Sequence, residues 1–531
     1  MTETTSCQAE SRKDRKHVML NPGNASNVYE TSDETMKTKQ TILGALLAAL
    51  VSTASAENTT VSAIISNCGG STNSLPCRFT FALNAAPGGQ VFNAMVILPV
   101  RCSGAGLQPC LKLMLENPDG TRQFLADDTL NPNEATAHFF VTSFLRGHAG
   151  ATNFPFYVEP VPGPCATVHT VAGRPAILEI QSAQTPPWKL DDILAPVWKS
   201  HHLVNETVLP VSRDGGRPEG RLMFTPVGKV VVRNYALDKT YQEGADYVVD
   251  GNRIRLPAGS SIPFMTWQQL YPDSADAPPK TMRSWNGGYV AFTEGSFWND
   301  RQIAVTYDHE EDWNGPIPST APGQLPQTKA KLRAGLPFKV ALLGDSISAG
   351  ASASKDRPPH VPGWGELAMD GLRRHYQSAI TFVNPSLGGT VSAWGKKVAP
   401  FFIAPEKPDL CLIAFGMNDG GGVPVNQYLA NTKAIIDSVG QENPAAEFIL
   451  VASWPPNENW RKLARMDGYL AGLKSLESKH IAVADVWSVA SYILKAKRYC
   501  DVSGNHVNHP NDFMVRIYAQ VTDALLDADK F

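Results

Sequence analysis

From Phe338 onward, unbroken apolar runs alternate with segments of helical period; the runs are "FKVALL", "ITFVN", "DLCLIAFG", "EFILVAS" and "IAVADV". A strand with one face in water alternates apolar and polar residues, and these runs do not. Each must therefore be covered on both faces. Between them lie "GELAMDGLRRHYQSA", "NQYLANTKAIIDSV" and "RKLARMDGYLAGLKSLESK", which have the amphipathic spacing of covering helices. The expected fold of residues 337–531 is thus α/β, a parallel sheet with helices on both sides. In such sheets ligands meet the carboxyl ends of the strands, so chemistry is expected just after the apolar runs.

The chain has 531 residues, too many for one ordinary core, and about two to four domains are expected. Residues 57–185 read as short strands, among them "CRFTFAL", "QVFNAMVILPV", "FPFYVEPV" and "AILEIQS", separated by Gly, Pro and Asn clusters. That spacing suits an antiparallel sandwich. After Pro186-Pro187 a second β-rich domain is expected over residues 186–312, with a hairpin in "VVDGNRIRL" through Asp250-Gly251. Residues 313–336, containing "NGPIPSTAPGQLPQ", read as a linker or extended strap. Both β-rich regions are expected as accessory domains before the α/β domain.

A targeting segment stands at residues 36–56. Met36 is followed by Lys37 and Lys39, then an apolar run from Ile42 to Val51, then Ala54-Ser55-Ala56 before Glu57. These are the three parts of a secretory signal peptide. The natural start is accordingly expected at Met36, with residues 1–35 a misassigned leader, and the location secreted or periplasmic. No second long apolar stretch reads as a membrane span once the signal is removed. Export makes the cysteines disulfide candidates, with Cys68–Cys77 and Cys102–Cys110 as close pairs. Cys165 has no evident mate, Cys411 reads as a buried thiol, and Cys500 is open to either state.

Four chemistry-bearing clusters follow in order. Ser346 comes after "VALLGD", Gly388-Gly389 after "ITFVNPSL", and Asn418 after "LCLIAFGM"; His509 lies in "NHVNHPNDF" before the last helical segment. A serine hydroxyl is a poor nucleophile until a base removes its proton, and histidine suits that task near neutral pH. The tetrahedral intermediate needs donors aimed at its oxyanion. Gly389 can bring a backbone N–H close, Asn418 can offer its amide, and the Ser346 N–H completes the set. Asp345 and Asp419 are expected to fix the loops around them. Singly, each cluster also fits a turn, a helix cap or a solvated loop.

On the blocks "GDS", "NPSLGGT", "GMND" and "HP", residues from about Gly335 to Phe531 resemble an SGNH hydrolase of the GDSL esterase superfamily. The resemblance implies a flavodoxin-like sheet, a catalytic Ser346–His509 pair, and an oxyanion hole from Ser346, Gly389 and Asn418, with no cofactor. It also implies an acid three residues before the histidine, and there this chain departs, because His506 occupies that place. His509 is taken as the base over His506 because it carries the "HP" pattern. Its orienting partner is then a backbone carbonyl, Asp512 or Asp501. Trp364 and Trp394 follow the first two blocks and either stack on a sugar face or pack the loops.

Other features weigh less. "YDHEEDW" over Tyr307–Trp313 reads as a solvated acidic loop and His201-His202 lack a spaced partner pair, so no metal site is expected. No His-Glu-x-x-His or Gly-x-Ser-x-Gly motif occurs. A formal net charge of −3 gives no reason to expect a nucleic-acid partner. Exported relatives with β-rich modules imply an acylated carbohydrate substrate, as in acetylxylan esterases. Lipid esters, aryl esters and thioesters are the alternatives for the same residues. An inactive, glycan-binding protein is the alternative of another class. The oligomeric state is left open.

Overall fold

Five strands build the α/β sheet: β1 (Phe338–Gly344), β2 (Ile380–Val383), β3 (Leu410–Ala414), β4 (Glu447–Ala452) and β5 (Ile481–Asp485). In the computed structural model, which describes residues 57–526 except 68–74, 132, 149, 184 and 464–465, their order is β2-β1-β3-β4-β5. Every neighbouring pair is parallel. This is the flavodoxin-like order, and it places the point where strand order reverses between β1 and β3. No helix of the described residues is long and apolar enough to cross a membrane.

The absence of alternation in the apolar runs has a direct physical counterpart. Val340, Leu342, Leu410, Leu412, Ile449 and Val451 point to one side, where helices α1 (Trp364–His375), α5 (Val486–Ala496) and α6 (Asp512–Leu526) cover them. Ala341, Leu343, Cys411, Ile413, Phe448 and Leu450 point to the other side, beneath α2 (Ser392–Phe402), α3 (Val425–Glu442) and α4 (Asp467–Lys474). Side chains alternate along each strand, so a run apolar at every position buries both faces.

The first β-rich stretch is a sandwich of two antiparallel sheets. One contains Glu57–Ala63, Ala176–Ala183, Gln90–Ser103 and Thr136–Phe140, with Thr167–Thr170 added to the far half of Gln90–Ser103. The other contains Ser66–Asn67, Cys77–Ala82, Asn153–Pro160, Cys110–Glu116 and Arg122–Thr129. Their inner faces share one core, with Phe79, Phe81, Leu98, Leu113, Phe139, Phe156 and Leu178 buried. The strands Cys110–Glu116 and Arg122–Thr129 are additions to the sequence-based reading.

The expected Cys102–Cys110 disulfide does not form, and both thiols are free. Cys102 pairs with Val168 in one sheet, whereas Cys110 pairs with Thr129 in the other, so the short loop between them crosses the sandwich. Cys165, Cys411 and Cys500 are likewise free. Cys68, the leader and the signal peptide lie outside the described residues.

The second β-rich stretch has a three-stranded sheet, His202–Val208, Ile303–Asp308 and Val227–Asn234, a five-stranded sheet of short strands, and a hairpin of Thr281–Arg283 with Tyr289–Ala291. The "VVDGNRIRL" hairpin is present, with Asp250 opposite Arg253 and Gly251-Asn252 as its two-residue loop. Leu203, Val208, Ile303, Val305 and Tyr307 belong to the same core as Phe513, Ile517 and Val521 of α6. Part of the expected linker is a helix, Pro326–Arg333, with Leu332 buried. The buried Glu447 carboxylate accepts the N–H groups of Gln327 and Thr328 and fixes its first turn.

Candidate active site

The chain leaves β1 at Gly344 and turns sharply through Asp345 and Ser346. A Cβ at residue 344 would lie 2.5 Å from the Ala414 carbonyl oxygen and 2.3 Å from Ser348 Oγ, so only glycine permits this close approach of β1 to β3. The turn is braced by Asp345, whose Oδ1 accepts the Ile347 N–H at 3.0 Å. Burial pushes the Asp345 carboxyl up to about 7, and its Oδ2 is buried without a protein partner. Ser346 is left 6% exposed at the carboxyl end of the sheet, at the strand-order reversal.

His509 Nε2 lies 2.8 Å from Ser346 Oγ. Its loop is stitched closed: Asn505 Oδ1 accepts the N–H groups of Val507, Asn508 and His509, and Ser503 Oγ donates to the His509 carbonyl. His506 is turned away. Its Nδ1 faces the Ala291 carbonyl at 3.2 Å, and its ring packs against Trp298 with centroids 4.7 Å apart. Burial pushes it down to about 4, which keeps it neutral near neutral pH.

The second and third blocks close on the same strand end. Ser386 Oγ accepts the Gly344 N–H, and the following turn brings Gly388 against Ser346, its Cβ position 3.7 Å from Ser346 Cβ. Gly389 has φ +75° with open space where a Cβ would stand. The turn conformation, rather than crowding, therefore calls for glycine there. Asn418 Nδ2 donates one hydrogen to the Thr390 carbonyl at 2.8 Å, which leaves the second amide hydrogen for another acceptor. Among the described residues, the N–H groups of Ser346 and Gly389 have no protein acceptor. Asp419 accepts the Ser392 N–H at 3.1 Å and so joins α2 to the Asn418 turn.

Neither expected acid reaches His509. Asp512 accepts the Ser354 N–H and Oγ–H at 2.8 and 2.7 Å. Asp501 accepts from Leu209 N–H and Arg498 N–H at 2.9 and 2.8 Å. Both are taken up by donors of other segments instead, apart from the Arg498 N–H beside Asp501. The carboxylate at His509 Nδ1 is Glu294, with Oε2 at 3.2 Å, and Ser352 Oγ lies 3.3 Å from the same nitrogen. Glu294 Oε1 also accepts from the buried Asn505 amide at 3.0 Å. Burial raises the Glu294 carboxyl, but the His509 hydrogen bond and charge, with Asn505 and Ser352, outweigh it and hold the group below its usual range. Glu294 sits in "AFTEGSF", a stretch without a motif, 215 residues from His509.

The two tryptophans also need correction. Trp364 is fully buried at the start of α1, its ring 5.7 Å from that of Tyr518. Trp394 is 9% exposed and donates from Nε1 to Gln108 of the sandwich at 3.0 Å. Both pack the interior. Trp285, at the tip of the 281–291 hairpin, is 53% exposed, with Nε1 donating to the Glu458 carbonyl at 2.6 Å. The acidic "YDHEEDW" loop places His309 face to face with Phe224 at 3.8 Å. No group of three or more His, Cys, Asp or Glu among the described residues is placed to hold a metal ion.

Residues 342–516 match the model of the GDSL-like Lipase/Acylhydrolase family. That match places a GDSL-like lipase/acylhydrolase domain at the carboxyl-terminal end of the chain. An arylesterase from Vibrio mimicus is 32% identical over 120 residues, which are 22% of this chain and 56% of that protein, so the match spans about half of the relative. Among solved structures, a catalytic mutant of Axe2, an acetylxylan esterase from Geobacillus stearothermophilus, is 20% identical. That match covers 36% of this chain and 95% of the other, with a TM-score of 0.32. A two-domain esterase, CEX, active on acetylated mannans, is also 20% identical, covering 41% and 54% with a TM-score of 0.33.

Proposed function

We propose that this protein is an exported serine esterase that removes O-acetyl groups from polysaccharide through an acyl-enzyme on Ser346. The observation that carries the chemistry is the 2.8 Å approach of Ser346 Oγ to His509 Nε2 at the carboxyl end of the sheet. His509 Nε2 takes the hydroxyl proton as Oγ adds to the ester carbonyl carbon. The negative charge on the carbonyl oxygen is met by the N–H groups of Ser346 and Gly389 and the free amide hydrogen of Asn418. Collapse breaks the ester C–O bond, and the imidazolium returns its proton to the leaving sugar oxygen. Water then gives a proton to His509 and adds to the acyl carbon. Ser346 Oγ leaves and regains that proton, and the carboxylic acid departs, losing its proton to solvent. These steps run on this chain's own groups.

The signal-like segment at residues 36–56 supports export, and the β-rich stretches and the exposed Trp285 face support a carbohydrate substrate. The arylesterase similarity favours a second reading, hydrolysis of small aryl esters. Acetate release from acetylated xylan, compared with p-nitrophenyl acetate and long-chain esters, separates the two. The expected result is turnover of acetylated xylan by the natural enzyme and a loss of about 10⁴-fold or more in Ser346→Ala. Turnover of aryl acetate alone favours the second reading. Glycan binding without turnover of any ester, or full activity in Ser346→Ala, overturns the proposal.

A further inference from the structure

We infer that Glu294, supplied by the second β-rich stretch, is the positioning acid of this hydrolase, so that the accessory region completes the active site. The inference rests on the Ser346–His509 reading above. In that reading Nε2 accepts the serine proton, so the resting imidazole carries its hydrogen on Nδ1 and needs an acceptor there. Two atoms lie within reach, Glu294 Oε2 at 3.2 Å and Ser352 Oγ at 3.3 Å. Ser352 Oγ itself lies 3.2 Å from Glu294 Oε2 and donates its one proton to it. Ser352 is therefore a neutral bridge, and Glu294 is the negative charge that stabilises the imidazolium once it forms.

The surroundings favour this assignment. Glu294 Oε1 is clamped by Asn505, which is fully buried and whose Oδ1 holds the His509 N–H at 2.9 Å. One side chain thus fixes both members of the pair. The same short segment explains the departure at residue 506: the Ala291 carbonyl faces His506 Nδ1, and Trp298 covers its ring. The place that would hold an acid three residues before the base is filled by a neutral ring packed against residues 291–298, while residue 294 of that segment puts a carboxylate on the base. Among the described residues, Asp345, from the turn after β1, also faces His509. Burial pushes that carboxyl up to about 7, and its one described hydrogen bond is to its own turn, so it does not replace Glu294.

The test is steady-state turnover of p-nitrophenyl acetate by the full chain and its Glu294→Gln, Glu294→Ala, Ser352→Ala and Ser346→Ala variants, with a melting curve for each. Both Glu294 variants are expected to lose about 10- to 100-fold in kcat, less than a fully buried triad acid because this carboxylate is half-exposed, with KM little changed. The acidic limb of the kcat/KM profile is expected to move to lower pH in Glu294→Gln, because the charge favouring the imidazolium is gone. A merely structural role would not move that limb. Ser352→Ala is expected to lose less than either. Natural kcat and an unmoved profile in both Glu294 variants would overturn the inference, as would a Ser352→Ala loss equal to or larger than theirs. If Glu294→Ala fails to fold, the near-isosteric Glu294→Gln carries the test alone. Unimpaired Ser346→Ala would instead defeat the underlying reading.

Discussion

Trp364 and Trp394 show how little a residue's neighbourhood in sequence says about its neighbourhood in space. Both follow active-site blocks, yet Trp364 is sealed between α1 and α6, against Tyr518. Trp364→Ala should therefore cost about 3–5 kcal/mol of stability, measured by denaturant unfolding, and leave the KM for acetylated xylan unchanged. A raised KM with unchanged stability would show the ring to be a substrate platform after all. Ser346, by contrast, stands where its sequence block puts it, because the end of an apolar run marks the end of a buried strand, and His509 reaches it from the loop before α6. Their acid was not legible. Asp512 and Asp501 were the nearest carboxylates in sequence, but each is consumed by backbone donors, of Ser354 and of Leu209 and Arg498. Glu294 carries no motif or spacing that would single it out.

At the scale of elements, the strands of the parallel sheet were readable because burial of both faces leaves an uninterrupted apolar run. Helix α2, "SAWGKKVAPFF", is not among the segments whose spacing marks a helix: Gly395 and Pro400 weaken it, and tertiary packing carries it. Helix Pro326–Arg333 was hidden similarly within a Pro-rich stretch and is held by the buried Glu447 carboxylate. The strand His202–Val208 is tied to the loop after α5 by a fully buried ion pair of Glu206 with Lys497. Glu206 also accepts from the Tyr307 hydroxyl at 2.6 Å and the Met223 N–H at 3.0 Å. Lys497→Met leaves Glu206 without its ion-pair partner, with only the charge of Arg516 to offset it, so unfolding free energy should fall by about 3 kcal/mol, and adding Glu206→Gln should restore much of it. An unchanged denaturation midpoint in Lys497→Met would show the pair to be dispensable.

The molecule as a whole is organised by contacts between regions that the sequence separates. The sandwich meets the α/β domain through Asp127, which accepts the Asn384 N–H at 2.9 Å, and through Ser143, which donates to Asp370 at 2.9 Å. The second β-rich stretch shares its core with α6. Such burial has a consequence for pH. Desolvation raises Asp127, Asp128 and Asp345 to about 7 and Asp512 to about 6, all from the ordinary value of 3.8. Between 3.8 and those values the folded chain binds protons that the unfolded chain has lost, so this contribution is full below 3.8 and disappears as pH rises through 6 to 7. Glu294 and Glu406 act in the opposite sense below their ordinary value of 4.5. His506, pushed by burial down to about 4, also acts in the opposite sense, up to the ordinary imidazole value of 6.5, as do His138, His309 and His360, likewise lowered by burial. The melting temperature should thus fall between about pH 6.5 and about pH 8, where the imidazoles no longer oppose the raised carboxyls, as a calorimetric series at constant ionic strength would register; a rise over that range contradicts the account. The sequence by itself determined the parallel sheet, the antiparallel sandwich and the order in which Ser346, Gly389, Asn418 and His509 are presented. These follow from local periodicity, which records the face each residue buries. Only the tertiary structure decided which carboxylate meets His509, where the tryptophans lie and that Cys102 and Cys110 stay apart. Those outcomes depend on pairings between distant segments and between separate sheets, and no period or spacing along the chain encodes them.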